Sequence, residues 1–349
     1  GTPIGKSGPV LCAPEKCANG ISSLGVKLCS LSNNHIMDYG FEGFDRTVKA
    51  LAEQGIATTG AGENLRESKK GFVFELKTSG EKIRIGIHSF AEHEFSFATE
   101  TSAGANPFDP FESFDQVRDL RKEVDFLIVL FHGGKEFHPY PSPLLAKTCR
   151  KFADCGADLV ICQHSHCIGS RENYRGKEIL YGQGNFIFDS PDSYLKSFND
   201  KTKGKEDSVN LNNPWNSGLL VEVTLTIENK KIESSVNYIP VVKVQEKVRL
   251  ADSTEKKTIM GSFERRSKKI QDPKFIEEEF KRFSKDKFST YVSTFLGKRG
   301  KSFLYRALNK ITGQKLRKNN YSKEELLELQ NCFQCESHRE VILTALKPE

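Results

Sequence analysis

Two stretches of sequence decide the fold: residues 126–134 read FLIVLFHGG, and residues 159–166 read LVICQHSH. Each begins as a continuous apolar run, which is typical of a strand buried on both faces of a parallel sheet. Each run then ends in a turn that carries histidine. Between them, Ser142 and Pro143 predict the start of a helix and Gly156 predicts its end. The sequence therefore predicts a strand–helix–strand unit with histidine at the carboxyl end of each strand.

The same alternation begins near the start of the chain. Residues 26–31 read as a short buried strand, and they lead into the polar turn Asn33-Asn34-His35. Residues 43–54 then have the apolar spacing of a helix, which Gly55 is placed to end. A third histidine-bearing turn is therefore predicted after a third strand.

Later segments complete a predicted α/β fold. Residues 72–76 and 83–90 alternate as the strands of a hairpin do, and Asp109-Pro110 predicts the start of a helix. Residues 219–227 and 232–242 alternate again, which favours an antiparallel end to the fold. Strands separated by helices indicate a largely parallel sheet that is covered on both faces.

The pattern changes to helices from about Asp252. Helical apolar spacing recurs at residues 275–283, 303–311 and 324–329. Residues 261–349 hold 20 Lys and Arg against 12 Asp and Glu, so this quarter carries more than the whole net charge of +6. We expect an α/β domain at 1–250 and a basic helical region at 251–349.

Length and composition exclude several classes of protein. The chain has 349 residues, and no apolar run approaches the roughly 20 residues that a membrane helix needs. We recognise no signal-peptide pattern at the start of this sequence, and a cytoplasmic and a membrane-associated location both stay open. The nine cysteines are an odd number, which favours reduced and mostly buried thiols over a disulfide framework.

The three histidine-bearing turns are the strongest functional signal. In α/β sheets ligands bind at the carboxyl ends of strands, where we expect His35, His132, His164 and His166 to meet. Imidazole suits zinc, iron and manganese, and the Asn34 side chain can add an oxygen ligand. His164 and His166 can face one point only if the turn departs from the alternation of a strand.

The motifs at these turns resemble those of the CapA family of capsule and poly-γ-glutamate synthesis proteins. The resemblance covers roughly residues 3–245. The segments that carry it are residues 30–40, Gly60-Ala61-Gly62, His132-Gly133-Gly134, Tyr140-Pro141-Ser142-Pro143, Gln163-His164-Ser165-His166 and residues 184–189.

The resemblance implies a metallophosphoesterase-like αββα sandwich around two divalent metal ions, which would be Mn, Fe or Zn. Asn34, His132, His164 and His166 would bind the metals. His35 would act as the general acid, and Asp38 would orient it; a turn or helix-entry role for Asp38 stays open. The family also has acidic ligands on two earlier strands, so we expect this chain to lack the N-terminal part of its domain.

The implied substrate is an anionic capsular polymer or a phosphoester, handled together with capsule-synthesis machinery. A phosphoesterase with an unrelated substrate, or a non-catalytic scaffold, are the alternatives. The basic region at 251–349 could contact an anionic membrane surface, and it contains no recognised module for specific nucleic-acid binding. A zinc site at Cys332, Cys335 and His338 is a minor alternative to a structural role for these residues.

Overall fold

Strands and helices alternate along the first half of the computed structural model, and helices follow the last strand. The structure describes residues 1–77, 82–188, 209–228, 231–245, 247–300 and 322–346. The strands are β1 Leu28–Ser30, β2 Ala57–Thr59, β3 Ala61–Gly62, β4 Phe72–Lys77, β5 Lys82–Ala91, β6 Gly104–Ala105, β7 Phe126–His132, β8 Leu159–Gln163, β9 Arg171–Tyr174, β10 Lys177–Leu180, β11 Ser217–Glu228, β12 Lys231–Val244 and β13 Lys247–Leu250. The helices are α1 Cys17–Ser23, α2 Gly40–Glu53, α3 Leu65–Ser68, α4 Ser113–Arg121, α5 Pro143–Asp154, α6 Ser253–Lys269, α7 Pro273–Gly300, α8 Lys323–Gln334 and α9 Glu336–Ala345.

A six-stranded sheet in the order β4-β5-β7-β8-β10-β9 forms the centre of the fold. Its four inner strands are parallel, and β4 and β9 add antiparallel edges. The predicted parallel sheet and the predicted β4–β5 hairpin are therefore both confirmed. Strands β1 and β2 pair with each other in a separate two-stranded parallel sheet.

Both faces of the large sheet are covered, as continuous apolar strands require. On one face, α4 and α5 pack a core in which Phe90, Phe131 and Phe152 are fully or almost fully buried. On the other face, the antiparallel sheet β11-β12-β13 contributes Leu219 and Val242 to a second core. The predicted α/β sandwich with appended C-terminal helices is thus confirmed.

The helices beyond residue 250 pack against the sandwich. Helix α6 begins at Ser253 with Asp252 as its N-cap, near the point where the sequence pattern changes to helices, and its Phe263 lies in the core between the two sheets. Ile276 of α7 joins the core on the opposite face. A domain boundary near residue 250 stays a prediction, since side chains from both sides of it share these cores.

Some predicted elements differ in detail. The helix expected from Asp109-Pro110 begins at Ser113 instead, because the Asp109 carboxylate accepts the Phe111 amide and closes a turn before the helix. The helix predicted at residues 303–311 lies outside the described residues. Within the described part of the chain, none of the helices has both the length and the apolar character of a membrane span.

Candidate metal centre

Strands β7 and β8 bring three of the predicted histidines together. The strands are parallel neighbours, with His132 opposite Gln163. Just beyond β8 the backbone turns sharply, because His164 and His166 adopt φ angles of 86° and 51°. Such left-handed conformations are costly for residues other than glycine. The ring centroids of His132 and His164 lie 4.9 Å apart, and those of His164 and His166 lie 6.2 Å apart.

The turn after β1 adds Asn34 to this group. The Asn34 side-chain oxygen Oδ1 lies 3.1 Å from His132 Nε2. The Asn34 carbonyl accepts hydrogen bonds from Ser96 Oγ at 2.8 Å and from Lys6 Nζ at 3.1 Å, which fix the backbone of the turn. The structure therefore brings all four predicted metal ligands to one locus, although their role as ligands stays a prediction.

The electrostatics of the cluster suit metal binding. Burial, followed by the neighbouring imidazoles, holds the pKa values of His132 and His164 well below the ordinary histidine value. Burial also lowers the pKa of His166, whose Nδ1 lies 2.9 Å from Asn185 Oδ1. Neutral imidazole is the form that binds a metal, and a hydrogen bond at the second ring nitrogen typically orients it. Three imidazoles and one amide oxygen therefore fit a divalent transition-metal ion.

His35 and Asp38 form a pair beside the cluster. His35 Nδ1 lies 2.7 Å from Asp38 Oδ2, and 25% of the His35 side chain is exposed while only 1% of Asp38 is. Asp38 also accepts from Lys6 Nζ at 2.6 Å and from the Leu11 amide at 2.7 Å. Burial raises the pKa of Asp38, but the hydrogen bonds from His35, Lys6 and Leu11 outweigh it and leave the pKa below its usual value. The buried carboxylate thus lies within hydrogen-bonding distance of the His35 ring, and its role in orienting that ring stays a prediction.

Sequence reasoning missed Glu92 and Glu94, which directly follow β5. Glu94 Oε2 accepts a hydrogen bond from Asn34 Nδ2. Glu92 accepts from the Gly134 amide at 3.2 Å and from Ser337 Oγ. Burial raises the pKa of Glu92 to about 8. Burial would also raise the pKa of Glu94, but the interactions with His338 and Asn34 outweigh it, so the pKa of Glu94 lies below its usual value. Applying the strand-end rule to β5 as well would have identified both residues.

The cysteine motif of the C-terminal region lies close to Glu94. Potential ligand atoms of Glu94, Cys335 and His338 lie within 4.8 Å of one another, and Cys332 is not part of this group. The Lys135 ammonium Nζ lies 2.9 Å from His338 Nε2. A cation is therefore already present in this cluster, which favours the structural role for the motif.

A cavity of about 620 Å³ opens beside the histidines. His132, His164 and His166 line it, together with apolar side chains such as Ile187. Trp215 stacks on the His166 ring with centroids 4.6 Å apart. The histidine cluster is thus accessible to a ligand from one side.

Comparisons with known proteins agree with the motifs. The sequence pattern of the bacterial capsule synthesis protein PGA_cap matches residues 1–190. The PGA biosynthesis protein CapA of Bacillus subtilis is 30% identical over 190 residues, which are 53% of this chain and 50% of that protein. The capsule biosynthesis protein CapA of Bacillus anthracis is 30% identical over 185 residues, which are 51% and 44% of the two chains. The chain therefore spans about half the length of these curated relatives.

A solved structure with partial similarity is a putative 5'-nucleotidase from Staphylococcus aureus. It is 15% identical, with a TM-score of 0.41, and the match covers 71% of this chain and 43% of the other.

The chain is thus an α/β sandwich protein that gathers histidines from neighbouring strand ends beside an accessible cavity. It belongs to the bacterial capsule synthesis protein family, PGA_cap. The family resemblance predicted from the motifs is confirmed.

Proposed function

We propose that this chain takes part in making or handling an anionic capsular polymer, such as poly-γ-glutamate, through a metal-dependent hydrolase-type centre. Membership of the PGA_cap family supports the biological role, as does the similarity to the CapA proteins of the two Bacillus species. Capsule-synthesis machinery would be its partner. The basic helices after residue 250 would add contact with an anionic polymer or membrane surface.

One observation carries the chemical part of the proposal. Asn34, His132, His164 and His166 come from three different strand ends and meet at one locus, with the His35–Asp38 pair beside it. A packed core does not require this grouping of buried imidazoles. The grouping also requires unfavourable left-handed backbone conformations at His164 and His166. Strain of this kind is concentrated at functional sites.

The residues divide into metal ligands and a proton donor. Bound divalent ions, proposed as a pair of Mn, Fe or Zn, would supply Lewis-acid polarisation of the substrate and a reactive hydroxide. Asn34, His132, His164 and His166 would hold them. Asp38 fixes the His35 ring through Nδ1, so that Nε2 is the nitrogen from which a proton can pass to a leaving group.

The test combines metal analysis with turnover by the full chain. We expect the purified protein to contain Mn, Fe or Zn and to shorten poly-γ-glutamate. His35→Ala should slow turnover by about 10²–10⁴-fold without changing metal content, since general acid catalysis contributes on that order. Lys49→Ala, on an exposed face of α2, is the control and should leave turnover unchanged.

Three results would contradict the proposal in different ways. A chain without metal would refute the hydrolase centre and favour a scaffold. Turnover of a generic phosphodiester with no effect on poly-γ-glutamate would favour an unrelated phosphoesterase. A normal capsule in a strain that lacks the gene would refute the biological role.

A further inference from the structure

Helix α9 packs directly against the wall of the candidate metal centre. Glu336, at its first turn, accepts the His93 amide at 2.9 Å and pairs with His93 Nδ1 at 2.8 Å. At the next turn, Glu340 accepts the Leu144 amide at 2.8 Å. This helix lies well beyond residues 1–190, the part of the chain that matches the family. A region outside the family match therefore borders the site.

Glu94 connects this helix to the metal centre. One oxygen of its carboxylate, Oε2, accepts from Asn34 Nδ2. The other oxygen, Oε1, lies 3.7 Å from His338 Nε2, and the same nitrogen lies 2.9 Å from Lys135 Nζ. Only 11% of the Glu94 side chain is exposed. The carboxylate thus accepts a hydrogen bond from Asn34 on one side and, on the other, faces a His338 ring that accepts from the Lys135 ammonium.

The Glu94 carboxylate determines which end of the Asn34 amide faces the histidines. A carboxylate only accepts hydrogen bonds, so Glu94 selects the NH₂ end of the amide. The oxygen Oδ1 must then point the other way, toward His132 at 3.1 Å. An amide in the opposite orientation would present hydrogen atoms, which cannot bind a metal. Residues that orient a ligand in this manner typically change metal affinity by about 10–100-fold.

We propose that Glu94 is a positioning residue that holds Asn34 in its metal-binding orientation, and that His338 of helix α9, by accepting from Lys135, holds that cation near the Glu94 carboxylate. The C-terminal helix thereby completes the metal centre. This inference rests on the proposed metal site, because Asn34 must be a ligand for its orientation to matter.

The experiment measures the affinity of Mn²⁺ for the full chain by titration calorimetry. We expect Glu94→Ala to weaken Mn²⁺ binding by about 10–100-fold. Glu94→Gln should recover most of the loss, because its amide oxygen can still accept from Asn34. His338→Ala should weaken binding less, and it should add nothing in a chain that already carries Glu94→Ala.

Two control variants separate this role from general stability and from the metal site itself. Glu340→Ala removes the hydrogen bond of the same helix with Leu144 without touching Glu94, so it should lower the melting temperature but leave Mn²⁺ affinity unchanged. His132→Ala should abolish the site. The inference is wrong if Glu94→Ala binds Mn²⁺ normally while His132→Ala does not. It is also wrong if Glu94→Gln loses as much affinity as Glu94→Ala, since Glu94 would then be a direct ligand. Normal binding by His132→Ala would instead overturn the proposed metal site.

Discussion

The buried ion pair between Lys6 and Asp38 gives a quantitative test of how the candidate site is held. Lys6 Nζ and Asp38 Oδ1 are 2.6 Å apart, and the side chains are only 3% and 1% exposed. With an effective dielectric constant of 20, two unit charges at that distance attract by about 6 kcal/mol. Desolvation of both ions offsets part of this attraction. We therefore expect a coupling energy of about 2–4 kcal/mol.

A double-mutant cycle measures this coupling through urea unfolding of Lys6→Met, Asp38→Asn and the combined variant. Asp38→Asn alone should cost about 3–5 kcal/mol, because it leaves the Lys6 ammonium buried without its partner. Lys6→Met should cost less, since Asp38 keeps its hydrogen bonds with His35 and the Leu11 amide.

The exposed pair Lys49–Asp45 is a matched control, with the same residue types at 2.7 Å. Its coupling should be about 0.3–0.5 kcal/mol, as is usual for such pairs on a helix surface.

The direction in which pH changes the stabilising contribution of Asp38 also follows from its pKa. The folded-state pKa of Asp38 lies below its unfolded value, so its contribution is complete above about pH 4 and is lost as the pH falls. A coupling below about 0.5 kcal/mol for Lys6–Asp38 would refute this account.

Two further predictions concern the core and the second missed glutamate. Phe152→Ala should lower the free energy of unfolding by about 3–5 kcal/mol, because Phe152 is fully buried among aromatic rings. Phe111→Ala, at a side chain that is 86% exposed, should change it by less than about 0.5 kcal/mol in the same chemical unfolding assay. In the unmodified chain, Glu92 should lower the free energy of unfolding as the pH rises from about 4.5 to 8, because the folded state keeps the Glu92 proton that the unfolded state releases. Glu92→Gln cannot titrate, so it should not show this decrease. With a shift to about 8, the variant should gain up to about 5 kcal/mol over the unmodified chain above pH 8, and parallel curves for the two proteins would contradict this.

The sequence predicts the order of elements well because local patterns specify them. Ser142 accepts the Leu145 amide as the predicted N-cap of α5, and Gly55 takes the left-handed conformation expected after α2. The apolar runs at β7 and β8 likewise require burial on both faces. Each of these signals is complete within about a dozen residues of chain.

The geometry of the site is less predictable because it depends on contacts between distant segments. Glu92 and Cys335 are 243 residues apart in sequence, and no local pattern indicates that they meet. The shared orientation of His164 and His166 depends on two backbone angles that are unusual for histidine. The sequence could indicate that these histidines lie at a strand end, but it could not indicate how they would be turned.

The sheet β11-β12-β13 has a practical consequence for defining the folding unit. The family match ends at residue 190, before this sheet begins at Ser217. A fragment cut at residue 190 would leave Ile85, Leu159 and Leu180 of the large sheet without their covering layer. An uncovered apolar surface of that kind promotes aggregation, so such a fragment should be recovered from cells mainly in insoluble form. The length over which a sequence family can be recognised is therefore shorter, in this protein, than the length that can fold.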